Sequence, residues 1–177
     1  MVSDDIRERV VSYIRHQAGK SRGAVIDLVS TNQAELVRIM ASVDAATAER
    51  QPAPDEWSLH ELLRHVIAAE GAVATLIEKL ARSERPPEPR RAIGMMGDDA
   101  SAPFAALVDR LKSTNQRLLD VIAALPAEPD MAMQAVHPFF GDLNCMEWAV
   151  FQRIHDADHI QHAGKILAAL GAPQPGP

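Results

Sequence analysis

The chain has 177 residues, 47% of them hydrophobic and 24% charged, and 24 acidic side chains against 18 basic ones leave a net charge of -6. This is ordinary globular composition for one domain, and with no basic run to track a phosphate backbone it argues against nucleic-acid binding. Cys145 is the only cysteine, which excludes an internal disulfide and every multi-cysteine zinc or iron–sulfur site. Any metal here would need nitrogen and oxygen ligands.

The N-terminus, MVSDDIRERVVSYI, lacks the apolar core of a secretory signal, and no stretch approaches the ~20 apolar residues of a membrane helix. A cytoplasmic location without a membrane partner is expected. Apolar residues recur at helical spacing in five segments and no segment alternates convincingly with period two, so the class is all-α. Residues 3–18 form a charged amphipathic helix, broken around GKSRG, and are expected as a helical extension over 1–21. A second helix, roughly 22–43, carries Val25, Leu28, Val29, Leu36, Ile39, Met40 and Val43, and ends before QPAP. The third opens at SLHE, where Ser58 can accept from the backbone of Glu61 while the Glu61 side chain reaches back, a capping box. Its stripe runs through Leu59, Leu62, Leu63, Val66, Glu70, Val73, Ile77 and Leu80. A long loop, RPPEPRRAIGMMGDDASAP, is too rich in proline and glycine to be helical. Another helix covers about 103–125 through Phe104, Leu107, Val108, Leu111, Leu118, Leu119 and Ile122. A second loop, PAEPDMAMQAVHPFFGD, leads to the last helix, about 143–170, which Gly171 and the prolines at 173, 175 and 177 end. The bundle domain is thus expected over 22–172, with a short tail over 173–177. Four long helices and a shorter N-terminal one predict a helical bundle whose sites are built from inward-facing side chains.

The last helix places His155, His159 and His162 on its core face: counting from His155, His159 lies at about +40° and His162 at about -20°, beside Trp148, Phe151 and Ile166. His155 and His159 are about 6 Å apart along the axis, the spacing at which two helical imidazoles hold one metal, whereas His162 is about 10 Å from His155 and is either an alternative ligand or an outer neighbour. Hydrogen-bonded core histidines without a metal are the competing reading. A third ligand must come from elsewhere, and His65, at the edge of its helix's stripe, is the leading candidate. His60 in the first turn of that helix and His16 before the GKSRG break are expected in solvent, and His137, in VHPFF, is expected to stack on aromatics rather than line a pocket.

DEWSLHELLRHVIAAE resembles the early signature of the DinB/YfiT-like superfamily, in which a tryptophan and a capping serine precede a helix bearing a metal-binding histidine. HPFFGDLNCMEWAVFQRIHDADHIQHAGKIL is similar to its closing signature, with a glycine-marked turn, a tryptophan-containing helix start and two histidines four apart. The resemblance extends over residues 22–170 and implies an up-down-down-up four-helix bundle with a metal site at His65, His155 and His159. Where the family often has glutamine after the last histidine, this chain has His162. Asp156, Asp158 or a backbone carbonyl would fix the ligands' tautomers; Glu61 belongs to the capping box and Glu70 to a hydrogen bond within the bundle.

Three imidazoles suit a divalent transition metal: zinc, nickel, iron(II) or copper. By resemblance the activity is that of a transferase using a low-molecular-weight thiol such as mycothiol or bacillithiol against an electrophilic substrate, with loops 81–102 and 126–142 shaping its pocket. The alternatives are a metal-dependent hydrolase and a non-catalytic, stress-related metal-binding or interaction module. Glu147, Gln152 and His162 are nearby candidates for proton transfer. The resemblance also implies pairing of bundle helices in a homodimer, although no stripe is surplus to the core.

Overall fold

The computed structural model describes residues 4–85, 96–97 and 99–173. Helices α1 (Asp4–Ala18), α2 (Arg22–Ala41), α3 (Ala45–Ala48), α4 (Leu59–Ala81) and α5 (Phe104–Ala123) are followed by strands β1 (Ala135–His137) and β2 (Gly141–Leu143) and by helix α6 (Cys145–Ala169). Each long helix starts or stops where side-chain chemistry dictates. Ser58 Oγ accepts from Glu61 N at 3.2 Å and Glu61 Oε2 from Ser58 N at 2.8 Å, completing the capping box at α4. A second box opens α6, where Asn144 Oδ1 accepts from Met146 N and Glu147 N at 3.1 and 3.0 Å and Glu147 Oε2 accepts from Asn144 N at 2.9 Å. At the far end Gly171 adopts φ 64°, so that Ala172 N can donate to Leu167 O at 3.0 Å and Gly171 N to Ala168 O at 3.1 Å; only glycine enters this left-handed stop without strain.

Helix α2 packs against α5 and α6, and α4 against the same two, so α2 faces α4 and α5 faces α6 across the diagonals of a four-helix bundle. Chain direction follows from the two apolar clusters that fill it. One gathers Val25 and Val29 from the start of α2, Val73 to Ala81 from the end of α4, Leu118 and Ile122 from the end of α5 and Cys145 to Val150 from the start of α6. The other gathers Leu36 to Met40, Leu59 to Val66, Phe104 to Leu111 and Ala163 to Leu167, the opposite ends of the same helices. The order is therefore up, down, down, up, with α4 and α5 parallel; the long connection between them has to return the length of the bundle. Helix α1 lies on α6, with Ile14 fully buried in the first cluster, Arg15 3.6 Å from Glu147 and Arg153 over the Tyr13 ring.

The structure departs from the sequence expectations in local features. A single turn, α3, forms in the 42–58 connection because Asp44 caps it, Oδ1 accepting from Thr47 N at 2.9 Å. A two-stranded antiparallel hairpin occupies part of the second loop, pairing Ala135 with Leu143 and His137 with Gly141. His60 is not in solvent: it is 4% exposed, and its Nε2 lies 2.9 Å from Ala102 O, where the chain entering α5 covers it. Residues 86–95 and 98 of the first loop, residues 1–3 and all but Pro173 of the expected tail lie outside the described residues.

Candidate metal centre

Between the two apolar clusters the bundle carries a polar layer. Gln33 (α2), Glu70 (α4), Asn115 (α5), Gln152 and Asp156 (both α6) are all buried. Gln33 Nε2 donates to Glu70 Oε1, Asn115 reaches Glu70 Oε2 at 2.6 Å once its amide is oriented to donate, and Gln152 Nε2 donates to Asp156 Oδ1 at 2.7 Å. Burial, reinforced by the Asp156 carboxylate, holds the Glu70 carboxyl well above the usual carboxylate range, against the opposing hydrogen bond from Gln33. Burial also raises Asp156, although His155 and Gln152 oppose it.

Beside this layer, α4 and α6 bring His65, His155 and His159 together with one ligand nitrogen of each within 4.8 Å of the others. Ring centroids are 4.3 Å apart for His155–His159, 4.9 Å for His65–His159 and 5.4 Å for His65–His155. Desolvation pushes His159 down to about 2, helped by its neighbours His155, His65 and His162, so its ring is neutral and keeps a free lone pair. Its Nδ1 is buried without a hydrogen-bond partner. The Nε2 atoms of His155 and His159 face each other at 3.1 Å. Two imidazoles on one tetrahedral ion, with metal–nitrogen bonds of ~2.0–2.1 Å, would hold their nitrogens about 3.4 Å apart, so the pair fits one ion with little movement. The donor set is all-nitrogen and neutral, which suits a divalent transition metal rather than calcium or magnesium.

His162 is outside this group. Its ring stacks on Trp57 at 6.0 Å and 26°, and Trp57 in turn lies 5.0 Å from the His65 ring. The three histidines open onto a cleft of about 940 Å³, bounded on one side by Trp57 and the preceding 52–56 segment and on another by the hairpin. His137 does both things weighed for it. It stacks on Phe140 at 4.8 Å and 19°, and it lines the cleft. Its Nδ1 accepts from Phe139 N and Phe140 N at 3.2 and 3.3 Å, which shapes the turn. Of the suggested proton-transfer groups, Glu147 is occupied by the α6 cap and Arg15, Gln152 is tied to Asp156, and only His162 faces the cleft. Asp158 also faces it, from an exposed position, while Asp156 is the buried neighbour of His155. Among cleft-lining residues, Phe139, Phe140 and Lys165 were not singled out by sequence reasoning; the aromatic run of VHPFF was the available signal.

Three solved structures share the fold. TT2238, described as a four-helix bundle protein, is 19% identical, with a TM-score of 0.60 over 82% of this chain and 99% of that one. YfiT from Bacillus subtilis, described as a probable metal-dependent hydrolase with an unusual four-helix bundle topology, is 13% identical, with a TM-score of 0.65 over 98% of this chain and 92% of that one. A mycothiol-dependent maleylpyruvate isomerase is 14% identical, with a TM-score of 0.61 over 78% of this chain and 60% of that one. No curated protein sequence matches the chain. The family model of the DinB superfamily matches residues 28–163, from α2 through both histidine-bearing helices, and the chain therefore belongs to the DinB superfamily.

Proposed function

We propose that His65, His155 and His159 hold one divalent transition-metal ion, zinc or nickel before iron, and that the protein is a transferase acting through a low-molecular-weight thiol of the mycothiol or bacillithiol type. The observation that carries this reading is the convergence of three imidazoles, their ligand nitrogens within 4.8 Å, at an open cleft of about 940 Å³. When bound, an ion with three neutral ligands and an open position lowers the pKa of a thiol or water admitted there to near neutrality. The chain's own thiol is elsewhere: Cys145 is fully buried, its Sγ 4.0 Å from Met131 Sδ, and burial raises its pKa. The nucleophile therefore enters from outside. Trp57, set against His65 and His162, restricts water on one side of the centre, and His162 stands where it can accept the proton the thiol releases.

The mycothiol dependence of the isomerase relative supports a thiol. The description of YfiT supports the second reading, hydrolysis by water at the same centre. Metal analysis of untagged protein should find close to one transition-metal ion per chain. In a cobalt-substituted sample, mycothiol, bacillithiol or a simple analogue should add sulfur-to-metal charge-transfer absorption that His155→Ala lacks. A spectrum unchanged by every thiol at millimolar concentration sinks the transferase reading and leaves the hydrolase. Refusal of both Zn²⁺ and Ni²⁺ sinks the metal centre and both readings with it.

A further inference from the structure

The two sides of the cleft differ in chemistry. Asp158, His162 and Lys165 supply the polar groups from α6, with Trp57 stacked on His162 beside them, and Lys165 is exposed. The other side is aromatic: His137, Phe139 and Phe140 from the hairpin and Phe151 from α6. Phe139 is 50% exposed, and of the four large hydrophobic side chains left exposed among the described residues it is the only aromatic one and the only one that lines the cleft.

That exposure is built into the hairpin. Both turn amides, Phe139 N and Phe140 N, donate to His137 Nδ1 at 3.2 and 3.3 Å. The His137 ring is packed 4.3 Å from Phe151 and 5.3 Å from Trp148, and Trp148 Nε1 donates to Ala135 O at 3.3 Å, pinning β1 to α6. Phe139 meets Phe140 edge-on at 6.5 Å. The aromatic surface is thus ordered without a ligand and loses little conformational freedom when one binds. It also leads to the candidate metal ligands, since Phe151 lies 5.9 Å from His155. Aromatic pairs sit at ~4.5–7 Å between centroids. A ring seated against Phe139, Phe140 and Phe151 therefore brings a group attached to it up to the three histidines.

We infer that the electrophilic substrate carries an aryl or similarly flat apolar group that seats on the Phe139–Phe140–Phe151 wall, while the polar body of the thiol lies along Asp158 and Lys165. The inference rests on the reading of the three histidines as a metal centre and assigns the substrate class of that same cleft. The three phenylalanine rings give a polyhydroxylated thiol no hydrogen-bonding partners, so the two reactants sort to opposite sides, and a cleft of about 940 Å³ is large enough for both.

The test uses the full zinc-loaded chain and two metal-binding probes that differ only in their tail, benzohydroxamate and acetohydroxamate, titrated by calorimetry. The phenyl probe should bind at least about tenfold more tightly, the scale of burying a ring instead of a methyl group. Phe139→Ser, a change at a half-exposed position that leaves the core intact, should weaken the phenyl probe by about threefold or more, the scale of one aromatic contact, and leave acetohydroxamate unchanged. Adding Phe151→Leu should narrow the preference further. Equal binding of the two probes, or a phenyl preference that survives both substitutions, overturns the inference. A chain that takes up no metal overturns the proposed function by that result alone. The wall is then decided on the metal-free chain by saturation-transfer NMR with the same probes and variants, under the same two outcomes.

Discussion

His159 stays neutral far below the pH at which a free imidazole takes up a proton, because burial and three neighbouring histidines all oppose the charge. A neutral ring has a lone pair to give, and its Nε2 lies 3.1 Å from His155 Nε2. Helical spacing made this pair legible in the sequence, since residues four apart share a face. His162 shares that face too, and what separates it is a partner that spacing alone does not disclose: its ring is stacked on Trp57, from a loop far away in the chain. The difference is measurable. Replacing His65, His155 or His159 by alanine should lower Zn²⁺ affinity by several orders of magnitude, while His162→Ala should lower it by at most about 10- to 100-fold, as outer neighbours of a metal site do. Competition titration against a zinc indicator reads both. Complete metal loss in His162→Ala with His155→Ala still loaded would reverse the assignment.

At the scale of elements, periodicity located α2, α4, α5 and α6 to within a few residues, because each commits a long apolar stripe to the core. The shorter features had no such signal. Helix α3 is four residues long and depends on the single cap of Asp44, and the three-residue strands of the hairpin are too short to show alternation. His60 differs from expectation for a related reason: its position in the first turn of α4 reads as a solvent face, and the chain entering α5 covers it with Ala102 O. The cap of α6 is a capping box of Asn144 and Glu147, with asparagine in the place that Ser58 takes at α4. Asn144 serves two backbone amides while 8% exposed, so Asn144→Ala should lower stability in urea unfolding by about 1–2 kcal/mol. His155 lies several turns further along the helix, so metal affinity should stay within about threefold, the loss being confined to the first turn. A parallel collapse of metal binding in Asn144→Ala would mean that the start of α6 is coupled to the histidines, contrary to this account.

On the scale of the whole molecule, the bundle is two apolar clusters separated by a layer of amides and carboxyls, and the histidines sit beside that layer. A polar residue on an apolar stripe was readable for Glu70; its partners Gln33 and Asn115, from helices distant in sequence, were not. The layer gives the metal-free protein a definite pH response. The Glu70 carboxyl is held well above its usual range by burial and by Asp156, so its protonated form belongs to the folded state. Its contribution is fully present below the unfolded value, about 4.3, and is lost as pH rises toward the folded value, because the unfolded chain releases a proton that the folded chain keeps. His159 works on the acid side: its folded value is depressed to about 2, so stability falls as pH drops through the unfolded imidazole value of about 6.5. Glu70→Gln removes the first effect and leaves the second. The new amide needs an acceptor, and Gln33 Oε1, buried without a hydrogen-bond partner, becomes one when the Gln33 amide turns over. Urea unfolding of the metal-free proteins at pH 5, 6, 7 and 8 should therefore show the variant gaining on the wild type as pH rises, by at most about 1.4 kcal/mol per pH unit, with the two curves converging toward pH 4. A difference that stays constant across the series would mean that Glu70 is ionised in the folded protein, and that the polar layer holds a charge rather than a proton.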